Sequence, residues 1–328
     1  MKRSCLLIAL SASLCATLST PASADYRHSH RDFISPPKVE IPASHGLNLQ
    51  SQNEAPIPTP ELSEPADIEL LEELNAEALS PETLTTPRIA IIIDDIGNAL
   101  ESGQKAVFLP GPVTLSVLPM TPQAKRLATE GHEQGKEIMV HTPMSNLSNA
   151  PLGPGALTEQ LSEHDFLETL RQGIAAVPHA TGVNNHMGSQ LTQQQEPMNW
   201  LMSELKQQSL YFVDSLTSAQ SLAGKTAHQQ GLKTISRDIF LDTFNDPEFI
   251  QQQYQKLLKK AKQRGYALAI GHPYPATLAL LQEKLPLLEA QGIKLVSVSQ
   301  LMTFQKQQER LLQLAKREKS QKKTPLTR

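Results

Sequence analysis

The sequence predicts an α/β barrel, on three observations. After Pro87 short β-rich runs alternate with stretches of helical period. The chain from there is long enough for about eight such units. Polar residues follow directly on apolar runs at Asp94-Asp95, His141, Asn185-His186, Asp214, Asp238 and His272. In a barrel such strand ends converge on one face, whereas an open doubly wound sheet lets only the neighbours at its switch point meet.

The elements follow in order. Strands are predicted at Ile89 to Ile93, Val113 to Leu118, Glu137 to Val140, Thr181 to Asn184, Leu210 to Val213, Lys233 to Ser236, Ala267 to Ile270 and Lys294 to Val298, with helices between them. Thr121-Pro122 and Asp246-Pro247 each place a capping side chain before a proline at the first helical position, and Gly135 and Gly265 stand where those helices should stop. The folded unit is expected to span residues 88–303. Residues 304–328 are polar and Lys/Arg-rich, and read as a solvated tail, helical at first.

The flanking composition bounds the function. The 328 residues carry a net charge of -3, so no whole-molecule field exists to hold a phosphate backbone, and nucleic acid is a poor partner. Met1-Lys2-Arg3, the apolar run Leu6 to Leu18 and Ala22-Ser23-Ala24 have the arrangement of a signal peptide over residues 1–24, which predicts export to a periplasm or the medium. That run is shorter than the ~20 residues of a spanning helix, so the mature form should have no transmembrane span. Leu14 before Cys15 argues against a lipid anchor. Cys5 and Cys15 both lie in the signal, so a mature chain would hold no thiolate, and any metal must use His, Asp or Glu. Residues 25–87 hold nine prolines and one glycine, Gly46, with acids from Glu61 to Glu77. They read as a linker too poor in apolar residues to fold, apart from one short amphipathic helix over Ile68 to Leu79; a segment that docks an envelope protein partner is the alternative.

Chemistry gathers at the strand ends. Asp94 and Asp95 end a buried strand, where adjacent side chains point to different sides, so that one can bind a metal while the other acts as base. Capping of the next helix is the competing reading. His141 and His186 each follow a strand in a segment otherwise lacking charge. Either alone is more often a hydrogen-bonded structural residue, but two imidazoles with Asp95 suit a divalent ion such as Zn²⁺. His272, between a glycine and a proline, is a candidate general acid or a helix cap. Arg237, Asp238 and Asp242 surround another strand end, where they can hold an imidazole's tautomer or form a plain ion pair. Asp214 is equally open, and Asn185 is a candidate for substrate or outer contacts. Thiol nucleophiles, the Gly-x-Ser-x-Gly elbow, the Walker loop and the dinucleotide fingerprint are absent. A glycosidase drawn from Asp94, Asp95, Asp214 and Asp238 leaves three strand-end histidines unexplained.

Taken in order, Ile92-Ile93-Asp94-Asp95-Ile96-Gly97, His141-Thr142-Pro143-Met144, Gly182-Val183-Asn184-Asn185-His186-Met187-Gly188-Ser189 and Gly271-His272-Pro273-Tyr274 resemble the divergent polysaccharide deacetylase family, over Arg88 to Met302. The resemblance implies a distorted (β/α) barrel of about seven to eight strands and metal-dependent removal of N-acetyl groups from a cell-wall or secreted glycan. It implies that Asp94 is the base, Asp95 a metal ligand and His272 the acid. The wider superfamily's second motif is His-x-x-x-His; here His141 matches its first position and Ser145 stands at the second. The superfamily's Arg-Pro-Pro is missing too, and Asn184-Asn185-His186 stands in its place, so His186 is expected to supply the lost ligand beside Asp95 and His141, with zinc as the expected metal. The competing class is a catalytically inactive barrel that binds a glycan or a protein partner in the envelope, because altered motifs are also what a lapsed site would carry.

Overall fold

The computed structural model describes residues 85–321, with side chains through Leu311. The expected signal, the linker up to residue 84 and the last seven residues of the chain lie outside the described residues.

Strand β1 (Arg88–Ile96) is nearly all aliphatic and buried on both faces, as a parallel sheet covered by helices requires. After it come α1 (Leu100–Val107), β2 (Thr114–Val117), α2 (Ala124–Glu133), β3 (Glu137–Met144), α3 (Glu163–Ala175), β4 (Ala180–Met187), α4 (Gln195–Gln207) and β5 (Tyr211–Asp214). Then follow α5 (Ala223–Gln229), β6 (Thr234–Ser236), β7 (Ile239–Phe240), α6 (Pro247–Arg264), β8 (Tyr266–Gly271), α7 (Pro275–Lys284), β9 (Lys294–Leu295) and α8 (Val298–Gln321). The sheet order is β6-β5-β4-β3-β2-β1-β8-β7, all parallel, with β9 joined to the start of β1. Only Arg237 and Asp238 separate β6 from β7, so one segment lends its first half to β5 and its second half to β8. The crossing is continuous: Arg237 N–H donates to the Asp214 carbonyl at 3.0 Å and Asp238 N–H to that of Leu268 at 2.9 Å. The fold is the distorted (β/α) barrel, closed by a splayed strand.

Period-two alternation sorts the side chains into two layers. On β1, Ile89, Ile91 and Ile93 pack with the helices, while Ala90 and Ile92 join Met139, Val213, Ile235, Leu268 and Ile270 in a second cluster inside the barrel. Asp94 continues the inward series. Val298, Leu301 and Met302 from the start of α8 pack on the same inner cluster and plug the barrel floor. Gly182 leaves room for an inward tyrosine, since a Cβ there would lie 2.2 Å from the Tyr211 ring.

Three local expectations need correction. Thr121 does not cap α2; its hydroxyl donates to the Leu118 carbonyl at 2.8 Å, and the helix starts later, at Ala124. By contrast Asp246 accepts from Phe249 N–H at 2.8 Å, and Gly265 closes α6 at φ 94°. The predicted strand over Lys294 to Val298 is paired only at Lys294–Leu295, because Ser297 and Gln300 form a reciprocal capping box that starts α8. The boundary drawn after residue 303 falls inside that helix, one residue before the fully buried Phe304. Among the described residues no helix is long and apolar enough to cross a membrane.

Candidate metal centre

The carboxyl ends of β1, β3, β4 and β8 bring Asp94, Asp95, His141, His186 and His272 together. Adjacent residues of a strand should diverge, yet Asp94 and Asp95 meet one imidazole. The register between β1 and β2 slips between Ile93 and Ile96, and Asp95 adopts a left-handed φ of 58°. That conformation costs a non-glycine residue about 1–2 kcal/mol, and it turns the second carboxylate back to the site. Asp94 Oδ2 lies 3.5 Å and Asp95 Oδ1 3.3 Å from His141 Nε2.

Asp95 Oδ1, His141 Nε2 and His186 Nδ1 are three potential metal-ligating atoms within 4.8 Å of one another. His186 Nδ1 is 2.9 Å from Asp95 Oδ1 and 3.1 Å from His141 Nε2. The donor set fits a divalent cation on two counts. Asp95 Oδ1 is buried with no partner in hydrogen-bond geometry, although both rings approach it. Nδ1 of His141 lies 2.8 Å from the amide oxygen of Asn184, a contact that needs the proton on Nδ1 and leaves the Nε2 lone pair facing the cluster.

The electrostatics also ask for a cation. Burial would push the Asp95 carboxyl up, but His141 and His186 beside it hold it well below the usual carboxylate range. Burial raises Asp94 and wins there over the opposing pull of His141 and His272. For His141 burial alone would lower the pKa, yet the two carboxylates raise it. Two carboxylates, Asp94 buried and Asp95 partly exposed, thus favour one positive charge at this spot, a proton or a metal ion. His272 stands on the other side of Asp95, its Nε2 3.8 Å from Oδ2. Burial works against its charged form, but the bond from Nδ1 to Asp242 Oδ1 at 2.9 Å and the charges of Asp94 and Asp95 raise its pKa to about 9. Asp242 also accepts from the backbone N–H of His272 and the hydroxyl of Thr277, both at 2.7 Å. The rings of Phe240 and Tyr274 each lie 5.3 Å from that of His272.

Other residues singled out by position serve elsewhere. Asn185 faces away from Asn184 and His186, as alternation requires, and its amide joins Met187 O, Thr217 Oγ1 and Ser215 N. Asp214 organises the loop after β5 through Leu216 N, Gly224 N and Ser221 Oγ. Arg237 clamps the same loop through the carbonyls of Ser215 and Leu216. Asp238 turns to α6, where it pairs with Lys260 and Arg264. Of the charged group around that strand end, Asp242 alone holds an imidazole. Ser145 donates to Glu159 at 2.5 Å, a pairing that leaves it no part in the cluster. Asn184 is the buried partner that selection by strand-end position passed over; its signal was the spacing of two from His186, which puts both on one face.

YibQ of Escherichia coli (strain K12) is 36% identical over 196 residues, 60% of this chain and 61% of that protein, so the match spans less than two thirds of its length. A protein of Haemophilus influenzae (strain ATCC 51907 / DSM 11121 / KW20 / Rd) is 35% identical over 219 residues, 67% of this chain and 78% of that one. The crystal structure of ATU2773 from Agrobacterium tumefaciens C58 is similar with a TM-score of 0.64 and 25% identity, over 66% of this chain and 89% of that. The family described as divergent polysaccharide deacetylase matches residues 91–302, which hold all five clustered residues and the start of α8. The chain therefore belongs to the divergent polysaccharide deacetylase family.

Proposed function

We propose that the protein is an exported, metal-dependent hydrolase that removes N-acetyl groups from a cell-wall or secreted glycan. The observation that carries this reading is the convergence of Asp95 Oδ1, His141 Nε2 and His186 Nδ1 between a second carboxylate and a third imidazole. The N₂O donor set suits zinc, which when bound supplies Lewis acidity toward an amide carbonyl and acidifies water. Asp94 is the base: Asn184 engages its Oδ1 at 2.9 Å, and Oδ2 is left to take the proton of the attacking water. His272 is the acid. Its Nδ1–H is tied to Asp242, so the proton on Nε2 is the one passed to the departing amine nitrogen. Export rests on residues 1–24, and the acidic, proline-rich stretch that follows would tether the barrel or dock an envelope protein.

Metal analysis of wild type, His186→Ala and Asp94→Asn, with release of acetate from N-acetylglucosamine oligomers measured on the same samples, tests the assignment. Wild type is expected to hold one zinc, and His186→Ala to lose most of its affinity. Asp94→Asn should keep the metal while turnover falls about 10²- to 10⁴-fold. Unchanged metal in His186→Ala rules that ligand out. Metal bound without turnover on any glycan moves the conclusion to the inactive, binding barrel.

A further inference from the structure

We infer that Asn184 is a positioning residue that gives His141 and Asp94 their separate roles; this rests on the metal-dependent reading above. Asn184 is fully buried on β4, and its amide makes four contacts. The oxygen accepts from Nδ1–H of His141 at 2.8 Å and from the Ser116 hydroxyl at 2.6 Å. The nitrogen donates to Asp94 Oδ1 at 2.9 Å and to Ser215 Oγ at 3.3 Å. Both lone pairs and both hydrogens are used. The orientation follows from the role of Asp94 as base, because a reversed amide would set its oxygen against an ionised carboxylate that cannot donate to it.

One side chain therefore acts with opposite polarity on the two sides of the site. Its acceptor arm keeps the His141 proton on Nδ1 and so leaves Nε2 free to ligate. Its donor arm engages one oxygen of Asp94 and leaves the other for the reaction. A neutral amide does both without adding a charge beside the metal, whereas an arginine or lysine at this place would hold the carboxylate but repel the cation.

The two arms separate in two variants. Asn184→Asp keeps an acceptor for His141 and loses the donor to Asp94, whereas Asn184→Leu, of similar size, loses both. Zinc affinity is read by competition with a chromophoric chelator, kcat and KM on N-acetylglucosamine oligomers, and folding by thermal melting. We expect Asn184→Leu to bind zinc about 10- to 100-fold more weakly and Asn184→Asp to bind it at least as tightly as wild type. Both should lose kcat with little change in KM. A merely structural role moves zinc affinity together with melting temperature in both variants and gives no such split. Equal zinc loss in the two, or wild-type affinity and kcat in Asn184→Leu, overturns the inference. If Asn184→Leu does not fold, Asn184→Ser, too short to reach both partners, replaces it under the same criteria. A wild type that binds no zinc instead overturns the functional reading itself, and this inference with it.

Discussion

Single residues at this site carry charge and strain that only their neighbours make tolerable. Asp95 bends out of strand geometry with its Oδ1 buried and outside hydrogen-bond geometry, and His272 is held in its charged form by Asp242 and the two site carboxylates. The histidine has a consequence for stability that can be measured on the metal-free protein. An unfolded histidine titrates near ~6.5, and the folded one at about 9. Because the folded pKa is the higher, the stabilisation is fully present below ~6.5 and is lost as the pH rises through 9. Thermal melts from pH 6 to pH 10 should therefore fall more steeply for wild type than for His272→Gln; parallel curves would show that the imidazole is not charged in the fold. Asp242→Asn should flatten the wild-type curve in the same way, since it removes the negative charge that faces Nδ1–H.

At the scale of elements, the caps and the close contacts give the clearest expectations. Asp246 caps α6 and Thr121 does not cap α2, although the two dipeptides look alike. Asp246→Ala should cost about 1 kcal/mol by chemical denaturation, and Thr121→Ala should raise no helix-capping penalty of that kind. Gly182 is a stricter case. A methyl group there meets the Tyr211 ring inside the barrel, so Gly182→Ala should destabilise by about 1–3 kcal/mol, and Tyr211→Leu in the same chain should restore part of the loss. Additive losses would mean that the backbone of β4, not the ring, sets the cost. The Ser297 and Gln300 capping box was readable as Ser-x-x-Gln, but the alternating Lys294 to Val298 pattern competes with it, and only the pairing of β9 with β1 decides where the strand stops.

For the whole molecule, the barrel is closed at its floor by α8 and along its side by the split strand of β6 and β7. The folded unit thus reaches past Met302: Phe304 is fully buried, with the Arg88 guanidinium 4.0 Å over its ring. Phe304→Ala is expected to cost about 3–5 kcal/mol in urea unfolding. An effect under about 1 kcal/mol, the range of surface changes, would place that residue in the solvated tail.

The amino-acid sequence by itself determined the alternation of strands and helices, the length of the barrel region, and which polar residues end which strand. Those properties are local, since a period of two or of 3.6 marks the side that meets the core wherever the chain later goes. Asp94, His141, His186 and His272 were legible for that reason. Tertiary structure alone decided that Asp95 turns back to the imidazole its neighbour already faces, that Asn184 reaches both His141 and Asp94, and that Asp242 holds His272 while Asp238 serves α6. Each of these depends on register, a bulge, or the closing of a sheet between residues far apart in the chain, and no local pattern encodes the distance between two strand ends.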